Sequence, residues 1–238
     1  MSFEEIMTSA AEKCRIEIDR ETLKKLCIYK DLLKEWNEKI NLTAITDDEG
    51  VALKHFADCL LLFKYVDIKS GASLIDVGTG AGFPGLVIAA ARSDINVTLL
   101  DSTGKKLKAV KDIADNMGLK NVTVLHARAE EAGRSADYRE RFDYATARAV
   151  AQLNVLCEYC LPLVKVGGNF LAMKGASGED ELAAARGAIK KLGGEYKETR
   201  TLHLPGGDTR TLILCKKISQ TPTAYPRNGG KIAKSPLK

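Results

Sequence analysis

The sequence predicts an α/β fold: a seven-stranded, mostly parallel sheet that ends in an antiparallel hairpin and follows an N-terminal helical cap. Three observations predict it. From Ser73 onward, apolar runs of strand length alternate with helix-length stretches, the pattern of a parallel sheet with crossover helices. The first run, Leu74 to Val77, carries a carboxylate, Asp76, and opens directly into Gly78, Gly80, Gly82 and Gly85. Near the end, two strand-like runs flank Pro205-Gly206-Gly207, a turn composition that joins antiparallel neighbours.

The elements follow in order. In residues 1–70, Leu23, Leu26, Leu32, Leu33 and Trp36 fall near helical spacing, and Asp19 with Thr22 offers N-cap chemistry. Asn41-Leu42-Thr43 breaks the pattern, and Val51 to Tyr65 resumes it through Leu53, Phe56, Leu60, Leu61 and Phe63. No strand signal precedes Ser73, so 1–70 is assigned to a cap, 71–217 to the α/β core and 218–238 to a tail. Core strands are expected at 73–77, 96–100, 122–126, 142–147 and 169–173. Helices are expected from Pro84 to Ala91 and at 103–117, 150–163 and 178–192, punctuated by Gly118, Gly167-Gly168 and Gly193-Gly194. The hairpin strands run from Tyr196 to Leu204 and from Thr211 to Cys215. Five βα units closed by a hairpin favour a methyltransferase-type sheet over a dehydrogenase, which more often ends in another parallel unit.

Composition narrows the class. The 238 residues are 45% apolar, enough for one large domain or a core with a small appendage. No apolar run approaches the roughly 18 residues of a membrane span. Met1 to Ala10 lacks the basic-then-apolar order of a secretory signal, so a cytoplasmic protein is expected. The six cysteines build no disulfide framework, and Cys157 with Cys160 reads as two core thiols one helical turn apart. His55, His126 and His203 lie far apart and suggest no metal site. The net charge of +5 is concentrated in residues 216–238, which hold six basic residues and no acidic one. Such a tail folds poorly alone and suits a polyanion such as RNA.

A strand, a glycine loop and a helix start form the layout that binds a nucleotide-like ligand. Glycines let the backbone approach the ligand, and free helix amides suit a negative group. Gly78, Gly80 and Gly82 give G-x-G-x-G, whereas the dinucleotide fingerprint needs its third glycine where Phe83 stands. Four placements turn the reading toward S-adenosylmethionine. Asp76 is placed to face a methionine ammonium, and Asp101, closing the run Val97 to Leu100, to accept from ribose hydroxyls. Ala129-Glu130 are placed to meet the adenine edge, and Phe83 to pack on the ligand. A short-chain dehydrogenase needs a Tyr-x-x-x-Lys pair beyond the fourth strand; Tyr65 with Lys69 precedes the glycine loop instead. Arg148, at the carboxyl end of a central strand, is the candidate catalytic residue, with a structural ion pair as the competing role. Lys174 borders the same crevice and, with Arg227, Lys231 and Lys234 of the tail, is a candidate RNA contact. Lys105, Lys106, Lys108 and Lys111 read as a solvated helix face.

Several segments, in order, carry a family resemblance: Trp36-Asn37 with Asn41-Leu42-Thr43, His55-Phe-Ala-Asp58, Asp76 to Gly85, Leu99-Leu-Asp-Ser102, Ala147-Arg-Ala-Val150, Met173-Lys-Gly175 and Tyr225-Pro-Arg227. Together they resemble the bacterial small-subunit ribosomal RNA methyltransferase G family, also called glucose-inhibited division protein B. The resemblance implies a Rossmann-like class I S-adenosylmethionine-dependent methyltransferase. Its expected reaction is methylation of N7 of a guanine in the decoding region of 16S rRNA, giving 7-methylguanosine in the small ribosomal subunit, by a monomer. It further implies cofactor contacts from Gly78, Phe83, Ala129, Glu130 and Arg148, with Asp101 at the acidic ribose position and Ser102 beside it. Cys59 and Val87 depart from the family pattern, where serine and proline are common. Guanine N7 has an exposed lone pair and no proton, so no general base is expected, and Arg148 would act by positioning and electrostatics. The sequence has no Asp/Asn-Pro-Pro-Tyr segment of the kind that serves exocyclic amines. The alternative is a small-molecule methyltransferase, against which the basic tail speaks.

Overall fold

A computed structural model describes residues 1–238. The cap begins with α1 (Phe3–Cys14), closed at its start by a reciprocal pair: Ser2 Oγ accepts the Glu5 N–H, and the Glu5 carboxylate accepts the Ser2 N–H. Asp19 caps α2 (Arg20–Ile40) by accepting the Thr22 N–H at 2.6 Å. The next segment is not the plain helix that its periodicity predicts. It runs through α3 (Asp48–Gly50), a π-helical stretch at Val51–Ala57, α4 (Asp58–Leu60) and a 3-10 turn at Leu61–Lys64. The π stretch carries Lys54 and His55, and wide helical turns of this kind recur at functional sites.

The sheet contains β1 (Ser73–Val77), β2 (Asn96–Asp101), β3 (Val122–His126), β4 (Phe142–Arg148), β5 (Val164–Lys174), β6 (Gly194–His203) and β7 (Thr209–Lys217). Their order is β3-β2-β1-β4-β5-β7-β6; β1 to β5 are parallel, and β7 runs antiparallel between β5 and β6. The chain winds outward from β1 to β3 and returns to β4 on the other side. That reversal between β1 and β4 opens a crevice at their carboxyl ends. Crossover helices α5 (Gly85–Ala91), α6 (Gly104–Asn116), α7 (Ala129–Ala132), α8 (Leu153–Cys160) and α9 (Gly178–Lys191) cover the faces. α8 starts later than predicted because Ala149 adopts a left-handed φ of 57° at the end of β4.

Successive strand residues point to opposite faces, so Leu74 joins one apolar cluster and Ile75 the other. The first cluster unites the cap (Met7, Leu26, Tyr29, Phe56) with the sheet and α5 (Leu74, Leu86, Val97). The second packs α8 and α9 on Ile75, Val77, Phe170 and Ile213. Each fully buried aliphatic side chain contributes roughly 1.5–3 kcal/mol, so the cap is bound to the sheet by their shared interior.

The tail docks on the core, although its composition predicts a segment unable to fold alone. Arg139 donates to the carbonyls of Gly133, Thr221 and Tyr225, and Arg134 Nε donates to that of Pro226. These guanidinium groups supply the partners that regular structure would otherwise give the tail's backbone. Lys217, fully buried, reaches Leu161 O, Thr221 Oγ1 and the Glu140 carboxylate; burial pulls its ammonium down to about 8, against the pull of Glu140. A final short helix, α10 (Gly229–Lys234), buries Ile232, and Leu237 enters the second apolar cluster.

Candidate functional site

A cleft of about 650 Å³ lies at the carboxyl ends of β1, β2 and β4, with the cap at one end and α10 at the other. The glycine loop forms its floor. A Cβ on Gly80 would meet only the Gly78 carbonyl oxygen, at 3.9 Å, so little covers the backbone there. Gly82 has φ +103°, and a Cβ on it would lie 2.6 Å from the Tyr29 hydroxyl oxygen. Tyr29, buried in the cap, donates from that hydroxyl to Ala81 O at 2.7 Å. Thus the cap holds the loop by a hydrogen bond that requires glycine next to it.

Asp76 occupies a different place from the one its position suggests. It lies wholly buried beneath the loop, where Oδ2 accepts the Thr79 hydroxyl at 2.7 Å and the Gly85 N–H at 2.9 Å. Its other oxygen is buried without a hydrogen bond. Burial pushes the carboxyl up to about 6, opposed by those two hydrogen bonds. Asp76 therefore shapes the loop and does not line the cleft, because the turn between β1 and α5 closes over it.

Asp101, Ser102, Ala129 and Glu130 all line the cleft. Asp101 accepts the Gly80 N–H at 2.9 Å on one oxygen and the Thr103 N–H at 2.8 Å on the other, and each oxygen keeps a lone pair. Glu130, almost buried, stands against the tail, where a Cβ added to Gly229 would collide with its carboxylate. Gly229 and Ala233 of α10, with Tyr159, complete this end of the wall.

The cap end is organised around Arg148. Its Nη1 donates to Lys54 O at 3.0 Å and to Asp58 Oδ2 at 2.8 Å, and its Nη2 donates to His55 Nδ1 at 3.0 Å. A guanidinium only donates, so His55 Nδ1 accepts and the imidazole proton sits on Nε2. That proton is donated to Thr43 Oγ1 at 2.8 Å, which also accepts the Ile45 N–H. Burial, then the Arg148 charge, pulls His55 down to about 4, so the ring is neutral near pH 7. Phe83 is fixed in the wall by stacking on His55 (centroids 4.4 Å) and Tyr29 (5.3 Å), with the Arg148 guanidinium 5.1 Å from its centroid. Asp58, 3% exposed, also meets Arg210 at 3.2 Å, so one buried carboxylate orients two arginines. Arg148 is thus both an ion-pair member and a wall of the cleft, with Nε–H and one Nη2 hydrogen uncommitted.

Two candidate RNA contacts are occupied within the chain. Lys174 donates to Ala151 O and pairs with Glu181 at 2.7 Å, and it is largely buried. Arg227 places Nε and Nη2 on both oxygens of fully buried Glu158. Each basic group lies next to a carboxylate on a neighbouring helix, which composition cannot reveal. Lys231 and Lys234 are exposed on α10. Lys106 borders the cleft, whereas Lys111 pairs with Asp115. Sequence reasoning assigned no role to Tyr29, Asp58, Tyr159 or Gly229. Thr43, His55 and Asp58 lay inside the segments that carry the family resemblance, and nothing else in the sequence pointed to the site they form.

A seven-stranded sheet with its seventh strand reversed, a glycine loop after β1 and an acidic residue ending β2 define a class I methyltransferase. A solved neighbour with this fold is a point mutant of the 16S rRNA (adenine(1408)-N(1))-methyltransferase from Catenulisporales acidiphilia, with a TM-score of 0.53 and 15% identity over 64% of this chain and 88% of that one. The family model for rRNA small subunit methyltransferase G matches residues 22–213. Proteins named ribosomal RNA small subunit methyltransferase G from Clostridium perfringens (strain 13) and Clostridium beijerinckii are each 47% identical to this chain over 239 residues, covering all of both chains. The chain belongs to the rRNA small subunit methyltransferase G family. No helix is long and apolar enough to cross a membrane.

Proposed function

We propose that the protein uses S-adenosylmethionine to methylate N7 of a guanine in the decoding region of 16S rRNA, as a cytoplasmic monomer. Family membership over most of the chain, joined to a cleft of the matching class, carries this reading. The cleft fits the cofactor: Gly80 presents bare backbone, Asp101 keeps lone pairs for two ribose hydroxyls, and Glu130 with Ala129 stands one strand further on for the adenine edge. Gly78, Phe83 and Arg148 border the opposite end, where the methionine portion would lie, and Ser102 borders the ribose end. When bound, S-adenosylmethionine supplies an activated methyl group, which the N7 lone pair takes while sulfur keeps the electron pair of the broken bond.

The chain has little proton chemistry to perform, because N7 carries no proton. Neutral His55 holds one edge of Arg148, and Asp58 holds the other, so the guanidinium is preorganised before a substrate arrives. Exposed Lys231 and Lys234, with Lys105 and Lys108 of α6, offer cations to RNA phosphate.

The test is transfer of labelled methyl from S-adenosylmethionine to small-subunit particles and to free 16S rRNA, followed by nucleoside digestion. A single 7-methylguanosine is expected. Cofactor binding without transfer to either RNA substrate would favour a small-molecule methyltransferase.

A further inference from the structure

Across Arg148 from the cofactor cleft lies a second cavity, of about 340 Å³. The cap forms one side with Ile45, Asp58 and Leu62, and the ends of β5 and β7 form the other with Met173 and Leu212. The two cavities meet along His55, Arg148 and Ala149, which line both. Ala149 holds a left-handed φ of 57° on this shared wall, a conformation unfavourable for a non-glycine residue and concentrated at functional sites.

We propose that this second cavity seats the target guanine, swung out of the RNA stack, with O6 accepting from Arg148 and the N7 lone pair left free toward the cofactor cleft. The inference rests on the rRNA methyltransferase reading above and specifies where its substrate base binds. A base inside a helix cannot bring N7 to a methyl donor enclosed by cap and sheet, so the nucleotide must be extruded. The cavity is large enough for a planar purine, and Leu62, Met173, Leu202 and Leu212 supply aliphatic surface for its faces. Its polar lining includes two guanidinium groups, Arg148 and Arg210, fixed by the one carboxylate of Asp58. Arg148 keeps Nε–H and one Nη2 hydrogen for an outside acceptor.

That chemistry selects the base. Guanine presents two adjacent acceptors, O6 and N7, on one edge, whereas adenine places a 6-amino donor beside N7 and would confront a guanidinium with another donor. The same contact sets the geometry. Because O6 and N7 are neighbours, a donor on the shared wall that holds O6 leaves N7 beside that wall, facing the cofactor cleft. Arg148 then positions the substrate from one cavity and borders the methyl donor from the other.

Two experiments on the full chain test the seat. Leu202 lines the cavity from β6, near the sheet edge and half-buried, so Leu202→Trp fills the space with little disturbance of the core. Methyl transfer to 16S rRNA should fall about 100-fold, with calorimetric S-adenosylmethionine affinity and thermal midpoint close to wild type. In the second experiment, the target guanine of a ligated 16S rRNA is replaced by inosine or by 2-aminopurine, which keeps N7 and lacks O6. Inosine should be methylated nearly as well as guanine, and 2-aminopurine about 100-fold less well or worse. Undiminished transfer by Leu202→Trp, a parallel loss of cofactor affinity in that variant, or efficient methylation of 2-aminopurine would overturn the proposal. A wild-type chain that methylates no guanine RNA would instead remove the underlying reading, and the seat with it.

Discussion

At the cap end of the cleft Arg148 pairs with Asp58, and near the tail end Arg227 pairs with Glu158; both carboxylates are buried and both pairs join distant parts of the chain. Arg227 closes its Nε–Nη2 edge onto both oxygens of one carboxylate and sends Nη1 to Ser235 O. Arg148 divides its donors among Lys54, His55 and Asp58, leaves Nε uncommitted, and borders two cavities. The first is a staple that fixes the tail. The second, in the role proposed for it, keeps its working edge open. Burial and ion pairing alone do not separate the two roles; the acceptors around each guanidinium do.

The sharpest way to break this comparison is Arg148→Lys. Lysine keeps a charge for Asp58 but cannot serve three cap acceptors and a substrate from fixed planar positions. Transfer at saturating cofactor and RNA should fall about 100- to 1000-fold, with a melting temperature near wild type. Wild-type turnover would reduce Arg148 to a second staple. Arg227→Ala should do the reverse. An unpaired, buried Glu158 costs about 3 kcal/mol or more in urea unfolding, while turnover at saturating cofactor persists. Adding Glu158→Gln should recover part of the loss by removing the stranded charge.

A pH series sharpens the contrast between the loop and its neighbour. Between about 4 and 6.5 the unfolded chain protonates His55 and the folded chain does not, so this residue lowers stability as pH falls. Asp76 acts oppositely: its folded-state value of about 6 lets the folded chain hold a proton that the unfolded chain releases above 3.8, so stability rises as pH falls through that window. The two slopes offset each other. Asp76→Asn should therefore lose stability more steeply than wild type between pH 6.5 and 4, measured as the urea midpoint at each pH. The smallest expected effect belongs to the tail surface. Lys231→Gln with Lys234→Gln should shallow the salt dependence of RNA binding by about 1.5 in log–log slope, leaving cofactor affinity unchanged.

Much of the fold was legible before any coordinates. The apolar runs at 73–77 and 96–100 match β1 and β2 to within a residue, since parallel strands largely buried on both faces have little choice of composition, and the run at 122–126 matches β3 at the sheet edge. The glycine loop and Asp101 were legible for the same local reason. What stayed hidden was proximity. Arg148 and Asp58 are ninety positions apart in the chain, Arg227 and Glu158 sixty-nine, and no period or motif encodes either meeting. Asp76 shows a subtler gap: its spacing to the glycines was read correctly, but the direction of its side chain depends on how the turn closes over it.

The placement of Gly229 and Ala233 in the cleft wall has a consequence for the timing of synthesis. Every strand of the sheet is complete by Lys217, yet the wall beside Glu130 needs residues made about a dozen positions later. A nascent chain halted between those points would carry the whole sheet and a cleft open at one end. Closure of the cleft is thus among the last events of synthesis, and a chain truncated before Arg227 would have both an open cleft and a Glu158 buried without its arginine.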